Sequence, residues 1–238
     1  MIWWIIATIC AYFVKGLCGF ANTLIFTSIL SFGNNNMSIT PIELVLGYPT
    51  TLIVVWKERK SIKWNVCLPL IAFTILGMIP GVLFLKNVDA TIVKIFFGIV
   101  IIFIGLEMLT REYQKKAQNQ SKLLMAVIGI VSGLLCGMYG IGALLGAYVG
   151  RATEDSSSFK ANLCAVFTVE STIRMILYIC WGIITPDVVK QAIVLVPVML
   201  ISLFLGMYST KFLDEKVIKK VIIIMLIVSG VALIINNL

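Results

Sequence analysis

The sequence predicts an all-α integral membrane protein built as two inverted repeats, each a glycine-broken hairpin or helix followed by three transmembrane helices. Three observations predict it. The chain is 60% hydrophobic and 13% charged, with a mean hydropathy of +1.05, whereas soluble domains carry roughly 25% charged residues. Its apolar residues fall into runs of membrane-spanning length. Two of those runs are interrupted by glycines, at residues 16–23 and 133–142.

The 238 residues leave room for about eight hydrophobic segments and no extramembrane domain. The apolar runs cover 2–32, 41–56, 64–85, 91–110, 123–150, 160–183, 188–210 and 217–235. Residues 1–14 lack a basic n-region and a small-x-small cleavage site, so they read as mature membrane domain rather than a signal peptide.

A net charge of +8 in a soluble protein would point to nucleic acid. Here the basic residues sit in short loops and report topology, and no nucleic-acid partner is expected. Lys57, Arg59, Lys60 and Lys63, then Arg111, Lys115, Lys116 and Lys122, then Lys211, Lys216, Lys219 and Lys220 mark three cytoplasmic loops. Residues 33–40, 86–90 and 184–187 and both termini are expected outside, in a bacterial-type plasma membrane.

If every run crossed once, 151–160, with Arg151 and Lys160, would be outside and the uncharged 184–187 inside. The conflict disappears if run 123–150 dips in and returns to the same side. This gives about six full spans plus two re-entrant segments, with seven or eight spans as the alternative count. Gly133, Gly137, Gly140, Gly142 and Gly146 cut that run into pieces of about thirteen residues, too short for roughly 30 Å of hydrocarbon. Run 2–32 is expected to break from Lys15 to Gly19.

The halves echo one another. Gly16-Leu17-Cys18-Gly19-Phe20 resembles Gly133-Leu134-Leu135-Cys136-Gly137-Met138, Pro69 with Gly77 resembles Pro197 with Gly206, and Lys94 with Gly105 resembles Lys219 with Gly230. The boundaries read as a first repeat at 1–110, a basic cytoplasmic linker at 111–122 and a second repeat at 123–238. A hairpin plus three spans makes an odd number of crossings, so the second copy is inverted. Inverted repeats with discontinuous helices are typical of secondary transporters. The plainer reading is that the glycines only let helices pack closely.

On these residues the chain resembles the TauE/SafE family of membrane transporters. The first half carries Gly16-Leu17-Cys18-Gly19-Phe20-Ala21-Asn22-Thr23-Leu24-Ile25 and Gly77-Met78-Ile79-Pro80-Gly81. The second carries residues 132–142, then Tyr148, Phe159-Lys160-Ala161-Asn162-Leu163, Phe167, Arg174, Gly182, Pro197 and Gly206. The resemblance implies export of sulfite, organosulfonates or related anions. The chain departs from the family pattern at Ala143-Leu144, where a proline commonly stands, and lacks a third consecutive glycine in the first motif.

A small oxyanion in a bilayer needs donors, and half-helix N-termini offer backbone N–H groups with a favourable dipole. The half-helices after Gly19 and Gly140 are expected to aim such ends at the midplane, with Gly142 beside them. Asn22, Thr23 and Tyr139 add side-chain donors, although Asn22 and Thr23 also suit helix capping.

Intramembrane charges are functional candidates by default. Arg174 and Glu170, four residues apart, read either as a structural ion pair or as a substrate counter-charge with a proton carrier. Lys15 reads as an anion partner or a snorkelling side chain, and Glu43 as a proton-entry group or, more plainly, an interfacial residue. Glu107 is expected to pair with the basic loop.

With no histidine and no C-x-x-C spacing, neither a metal site nor a cofactor is expected. No P-loop is present, and nothing reads as an enzyme. The leading expectation is a secondary transporter of a small anion, with lipid as its surround, proton coupling and a homodimer left open. Two other classes compete: a thiol-disulfide electron carrier using Cys18 and Cys136, and a channel-like or assembly protein whose breaks are structural.

Overall fold

In the computed structural model the described residues are 2–30, 36–84, 122–140, 142–153 and 155–235, with isolated positions between 99 and 109. They form helices α1 (Ile2–Cys18), α2 (Asn22–Leu30), α3 (Asn36–Glu58), α4 (Trp64–Phe84), α5 (Lys122–Tyr139), α6 (Ala143–Ala152), α7 (Ser156–Cys180), α8 (Pro186–Ser209) and α9 (Glu215–Ile235). A short 3-10 turn, Arg59–Ser61, follows α3. Most of the expected run at 91–110, the expected linker at 111–122 up to residue 121, and Lys94, Gly105 and Glu107 lie outside the described residues.

Among the described residues four helices are long and apolar enough to cross a membrane: Ile39–Ser61, Trp64–Leu83, Ser156–Cys180 and Pro186–Ser209. Their outward faces carry large exposed apolar side chains, such as Leu68, Leu76, Ile193, Ile201 and Phe204. In water such faces would be costly; in lipid they are the expected surface.

The helices pair through backbone contact. Gly16 of α1 faces Leu203, Gly206 and Met207 of α8, while Gly206 faces Phe13 and Gly16. Gly77 and Gly81 of α4 face Ile130 and Leu134 of α5, and Gly133 and Gly137 of α5 face Thr74 and Met78 of α4. In the α4–α5 pair residue numbers rise together, and in the other Ala7 and Ala11 cluster with Ala192 and Leu195 while Gly16 meets Leu203 and Gly206, so both pairs run parallel. Each glycine removes a Cβ that would overlap a neighbouring main chain, the role small residues play where transmembrane helices touch.

Gly133 and Gly137 are therefore helical packing positions and do not interrupt the run, and Gly146 likewise lies within α6. The breaks are shorter than the sequence suggested. α1 continues through Lys15 and Gly16 to Cys18, and α5 continues to Tyr139.

Between these pairs α3 and α7 pack antiparallel. Thr172 donates to the Tyr48 hydroxyl at 3.2 Å, Leu44 clusters with Tyr178, and Val54 with Cys164. At the end holding Arg59, Lys60 and Lys63, Asn162 of α7 ties down the α3–α4 turn. Its Oδ1 accepts from the Lys63 amide at 2.7 Å and from Cys67 Sγ at 3.1 Å, and its Nδ2 donates to Ser158 O at 2.6 Å. The start of α7 therefore sits beside the basic turn.

At the other end Ala7, Ala11, Phe26, Leu30, Ile39, Ile42, Ala192 and Leu195 share one cluster. α1 thus enters, and α2 returns, at the same end. Side-chain caps fix two of the helix starts. Asp155 accepts from the Ser158 amide at 2.6 Å ahead of α7, and Thr185 accepts from Val188 ahead of α8.

Candidate functional site

The two helix breaks share one environment. Cys18, Phe20, Ala21 and Leu24 from the first pack in the same cluster as Cys136, Leu145, Tyr148 and Val149 from around the second. Both turns pass through left-handed backbone, at Gly19 (φ 84°) and Gly140 (φ 69°), a conformation open to glycine at little cost. Ala21 also adopts it, at φ 71°, which costs roughly 1–2 kcal/mol in a residue with a Cβ.

The sequence echo set Cys18 against Cys136, but Cys18 directly precedes its left-handed glycine whereas Cys136 stands four residues before its own. An electron carrier must also present its thiols to a partner, yet Cys18 and Cys136 are 0% and 1% exposed. The paired-cysteine reading loses its basis.

Where the breaks meet there is a small, partly open cavity. Lys15 of α1, Phe20, Ala21, Asn22, Thr23 and Leu24 of the first break, and Glu43, Leu44, Gly47, Tyr48 and Thr51 of α3 form one side. Gly140 and Gly142 of the second break and Phe167, Glu170, Ser171 and Arg174 of α7 form the other.

Of the residues singled out from sequence, Lys15, Asn22, Thr23, Glu43, Gly140, Gly142, Glu170 and Arg174 converge on this cavity. Gly19 does not line it; its Cα faces the aliphatic stem of Lys160. Tyr139 ends α5, and its side chain lies outside the described residues.

Four charged side chains are nearly inaccessible here: Lys15 and Glu43 are 2% exposed, Glu170 and Arg174 3%. Lys15 does not snorkel. Its Nζ donates to Gly47 O at 3.0 Å and to Thr51 Oγ1 at 2.8 Å, binding the end of α1 to α3. Glu43 is not interfacial either. Its Oε1 accepts from Asn22 Nδ2 at 2.5 Å, so the Asn22 amide spans from α2 to α3.

Arg174 donates from NH1 to Cys136 O at 2.9 Å, on a carbonyl that also accepts the Gly140 amide at 2.8 Å. A cation is favourable at this C-terminal end of α5. Arg174 Nε lies 3.3 Å from Glu170 Oε1, close enough for an ion pair but not aligned as a hydrogen bond. Glu170 Oε2 accepts from the Ser171 hydroxyl at 3.0 Å.

Three buried polar atoms on the cavity residues consequently lack hydrogen-bond partners among the described residues: Glu43 Oε2, Glu170 Oε1 and Arg174 Nε. Buried groups with unmet hydrogen bonds are rare and costly. Two of the three, Glu170 Oε1 and Arg174 Nε, face each other as the ion pair at 3.3 Å, whereas Glu43 Oε2 has no counter-charge at such a distance among the described residues. Aromatic Phe20, Tyr48 and Phe167 complete the cavity walls.

Sequence reading missed Gly47, Tyr48 and Thr51, which are ordinary helix residues with no local signature, and it named Phe167 only as part of the family resemblance. Tyr178 was missed as well; its hydroxyl donates to Gly137 O at 3.4 Å, next to the carbonyl held by Arg174.

A multi-pass α-helical membrane protein with a buried, charged cavity at two helix breaks is the class that this architecture defines. The chain belongs to the sulfite exporter TauE/SafE family, whose pattern matches residues 4–233. A curated relative from Cupriavidus necator, named as a probable sulfite/organosulfonate exporter TauE, is 29% identical over 157 residues, or 63% of this chain and 59% of the relative. The chain thus matches less than two thirds of that relative's length. No solved structure matches the chain.

Proposed function

We propose that this protein is a secondary transporter in a bacterial-type plasma membrane, moving sulfite, an organosulfonate or a small carboxylate by alternating access. The observation that carries the reading is the cavity where both breaks meet, with Arg174, Lys15 and the first turn of α2 around it and three buried polar atoms left unsatisfied. An oxyanion accepts from Arg174 Nε, from the Lys15 ammonium and from the α2 amides, while Phe20 and Phe167 limit its size. Family membership and the relative's name agree with an anion as substrate.

Two inverted repeats, 1–110 and 123–238, account for the packing. Exchanging the halves maps the parallel pair α1 and α8 onto α5 and α4, and turns α3 into its antiparallel partner α7. Each glycine-broken hairpin then enters from its own face. The bond between Asn162 and Lys63 supports the re-entrant reading of 123–150, because it keeps the start of α7 at the end with the α3–α4 basic loop.

The cavity also has a charge argument. With both glutamates ionised, Lys15 and Arg174 are cancelled, and a bound anion makes the buried site negative. Desolvated charge without compensation is strongly unfavourable, so a proton travelling with the anion restores neutrality.

The test is flux into proteoliposomes across a panel of sulfite, sulfoacetate and small carboxylates. Saturable flux of at least one is expected, and Arg174→Gln should weaken its apparent affinity. Absence of saturable flux for the whole panel would sink the transport reading. Unchanged affinity and rate in Arg174→Gln would remove Arg174 from the site.

A further inference from the structure

Glu43 and Glu170 both border the cavity, but their surroundings are unlike. Glu170 has a cation within 3.3 Å, at Arg174 Nε, and accepts from Ser171 as well. Neutralising it would leave the guanidinium unpaired. Glu43 makes no ion pair with any described residue. Its side-chain partners are neutral: Asn22 Nδ2 donates to Oε1, the Thr23 hydroxyl lies beside the carboxyl, and Oε2 is buried without a hydrogen bond among the described residues.

The groups that face Glu43 come from several elements. α1 brings Lys15, whose ammonium is held by Gly47 O and Thr51, and Tyr12, whose hydroxyl donates to the Glu43 backbone carbonyl at 3.4 Å. α2 brings only the uncharged Asn22 and Thr23. α7 brings Arg174 and Glu170, already engaged with each other. α8 also packs against α3, but its charges, Asp187 and Lys190, form an exposed pair at its start.

Resting on the transport reading above, we propose that Glu43 carries the coupling proton and that it does so as a ligand of the anion. This asymmetry matches the two faces of a carboxylic acid. A carbonyl oxygen accepts, which suits Oε1 opposite the Asn22 amide; a hydroxyl donates, which suits the unpartnered Oε2. Protonated Glu43 gives its hydroxyl to an oxygen of the bound anion, while Glu170 stays ionised beside Arg174. The proton comes from water on the loading side and leaves with the anion on the other.

Proton and anion then favour each other's binding, reciprocally. Gly47, one turn beyond Glu43, supports the arrangement. A Cβ there would approach Glu43 Oε1 to 2.9 Å and Asn22 Nδ2 to 3.4 Å, so the missing side chain leaves the carboxyl its place.

The experiment uses the full chain in proteoliposomes with methanesulfonate, an anion whose own charge is constant across the working pH range. In the wild type its apparent affinity should fall by about tenfold per pH unit on the alkaline side, the limit for one coupled proton. An entrapped pH dye should report one proton moving with each anion. Glu43→Gln keeps the amide-accepting oxygen and a donor at the second position; its affinity should vary less than twofold over the same range, with no proton movement. Glu43→Asp should retain coupling with a displaced pH midpoint. Infrared difference spectra should show a protonated carboxyl band on anion binding in the wild type but not in Glu43→Gln.

Proton movement or the wild-type pH slope surviving in Glu43→Gln would overturn the assignment while leaving transport intact. Wild-type vesicles inert to methanesulfonate and to the whole anion panel would instead overturn the transport reading, and this assignment with it.

Discussion

Substituting Gly140 by alanine tests whether the second break is held by Arg174. At φ 69° a Cβ costs roughly 1–2 kcal/mol through left-handed strain alone. The same Cβ would run into the Arg174 guanidinium and push it off Cys136 O, a 2.9 Å bond. A charge-assisted bond of this kind is worth roughly 1.5–3 kcal/mol, so the total loss is about 2.5–5 kcal/mol. Gly19→Ala is the control: its φ is 84°, and the new Cβ meets the flexible Lys160 stem at 3.0 Å and the Lys160 Cα at an ordinary 3.4 Å, so about 1–2 kcal/mol of strain is expected.

Unfolding of each variant in mixed micelles, titrated with denaturing detergent, gives the comparison. The double variant Gly140→Ala with Arg174→Ala sharpens it. With the guanidinium already gone, adding the methyl should cost only the strain component, so the two substitutions should be non-additive by about the energy of the lost bond. Equal losses for Gly19→Ala and Gly140→Ala, or strict additivity in the double variant, would refute the contact as the reason for glycine at 140.

Asn162→Ala strands the Lys63 amide and should destabilise by about 1–3 kcal/mol, read by the same unfolding titration. Gly77→Leu places a side chain in the Ile130 main chain and should yield no monodisperse protein by size exclusion. Gly182→Ala, with φ 65° but nothing within 4 Å, should purify normally. With the native six cysteines removed, a cysteine at Ser157 should label from the cytoplasmic side and one at Asp187 from outside; the reverse would reject the re-entrant topology.

The sequence made the helices legible because hydrocarbon demands long apolar runs, and α3, α4, α7 and α8 stand close to the runs read from it. It made the breaks legible only approximately. A glycine in a membrane helix has two uses, close packing and left-handed turning, and composition does not tell them apart. Gly133 and Gly137 do the first, Gly140 the second, and the difference depends on where α4 lies.

The charges of the site could be named because ionisable residues in apolar runs are few. Their partners were less accessible to sequence reading. Glu170 and Arg174 are four residues apart on one helix and announce their pairing, whereas Glu43 meets Asn22 and Lys15 meets Thr51 across helix boundaries. Glu43 looked interfacial because its position in the run said nothing of α1 and α2 folding over it.

The glycine contacts between α1 and α8, and between α4 and α5, have a mechanical side. Main chain against main chain at these glycines leaves little room for one helix to slide or tilt along the other, so each pair has the geometry of a beam. Between the beams lies the side-chain-filled seam of α3 and α7, joined by Tyr48 and Thr172 and bordering the cavity. On the alternating-access reading proposed above, movement falls to that seam, and a crosslink from α3 to α7 should arrest transport where one within either beam should not.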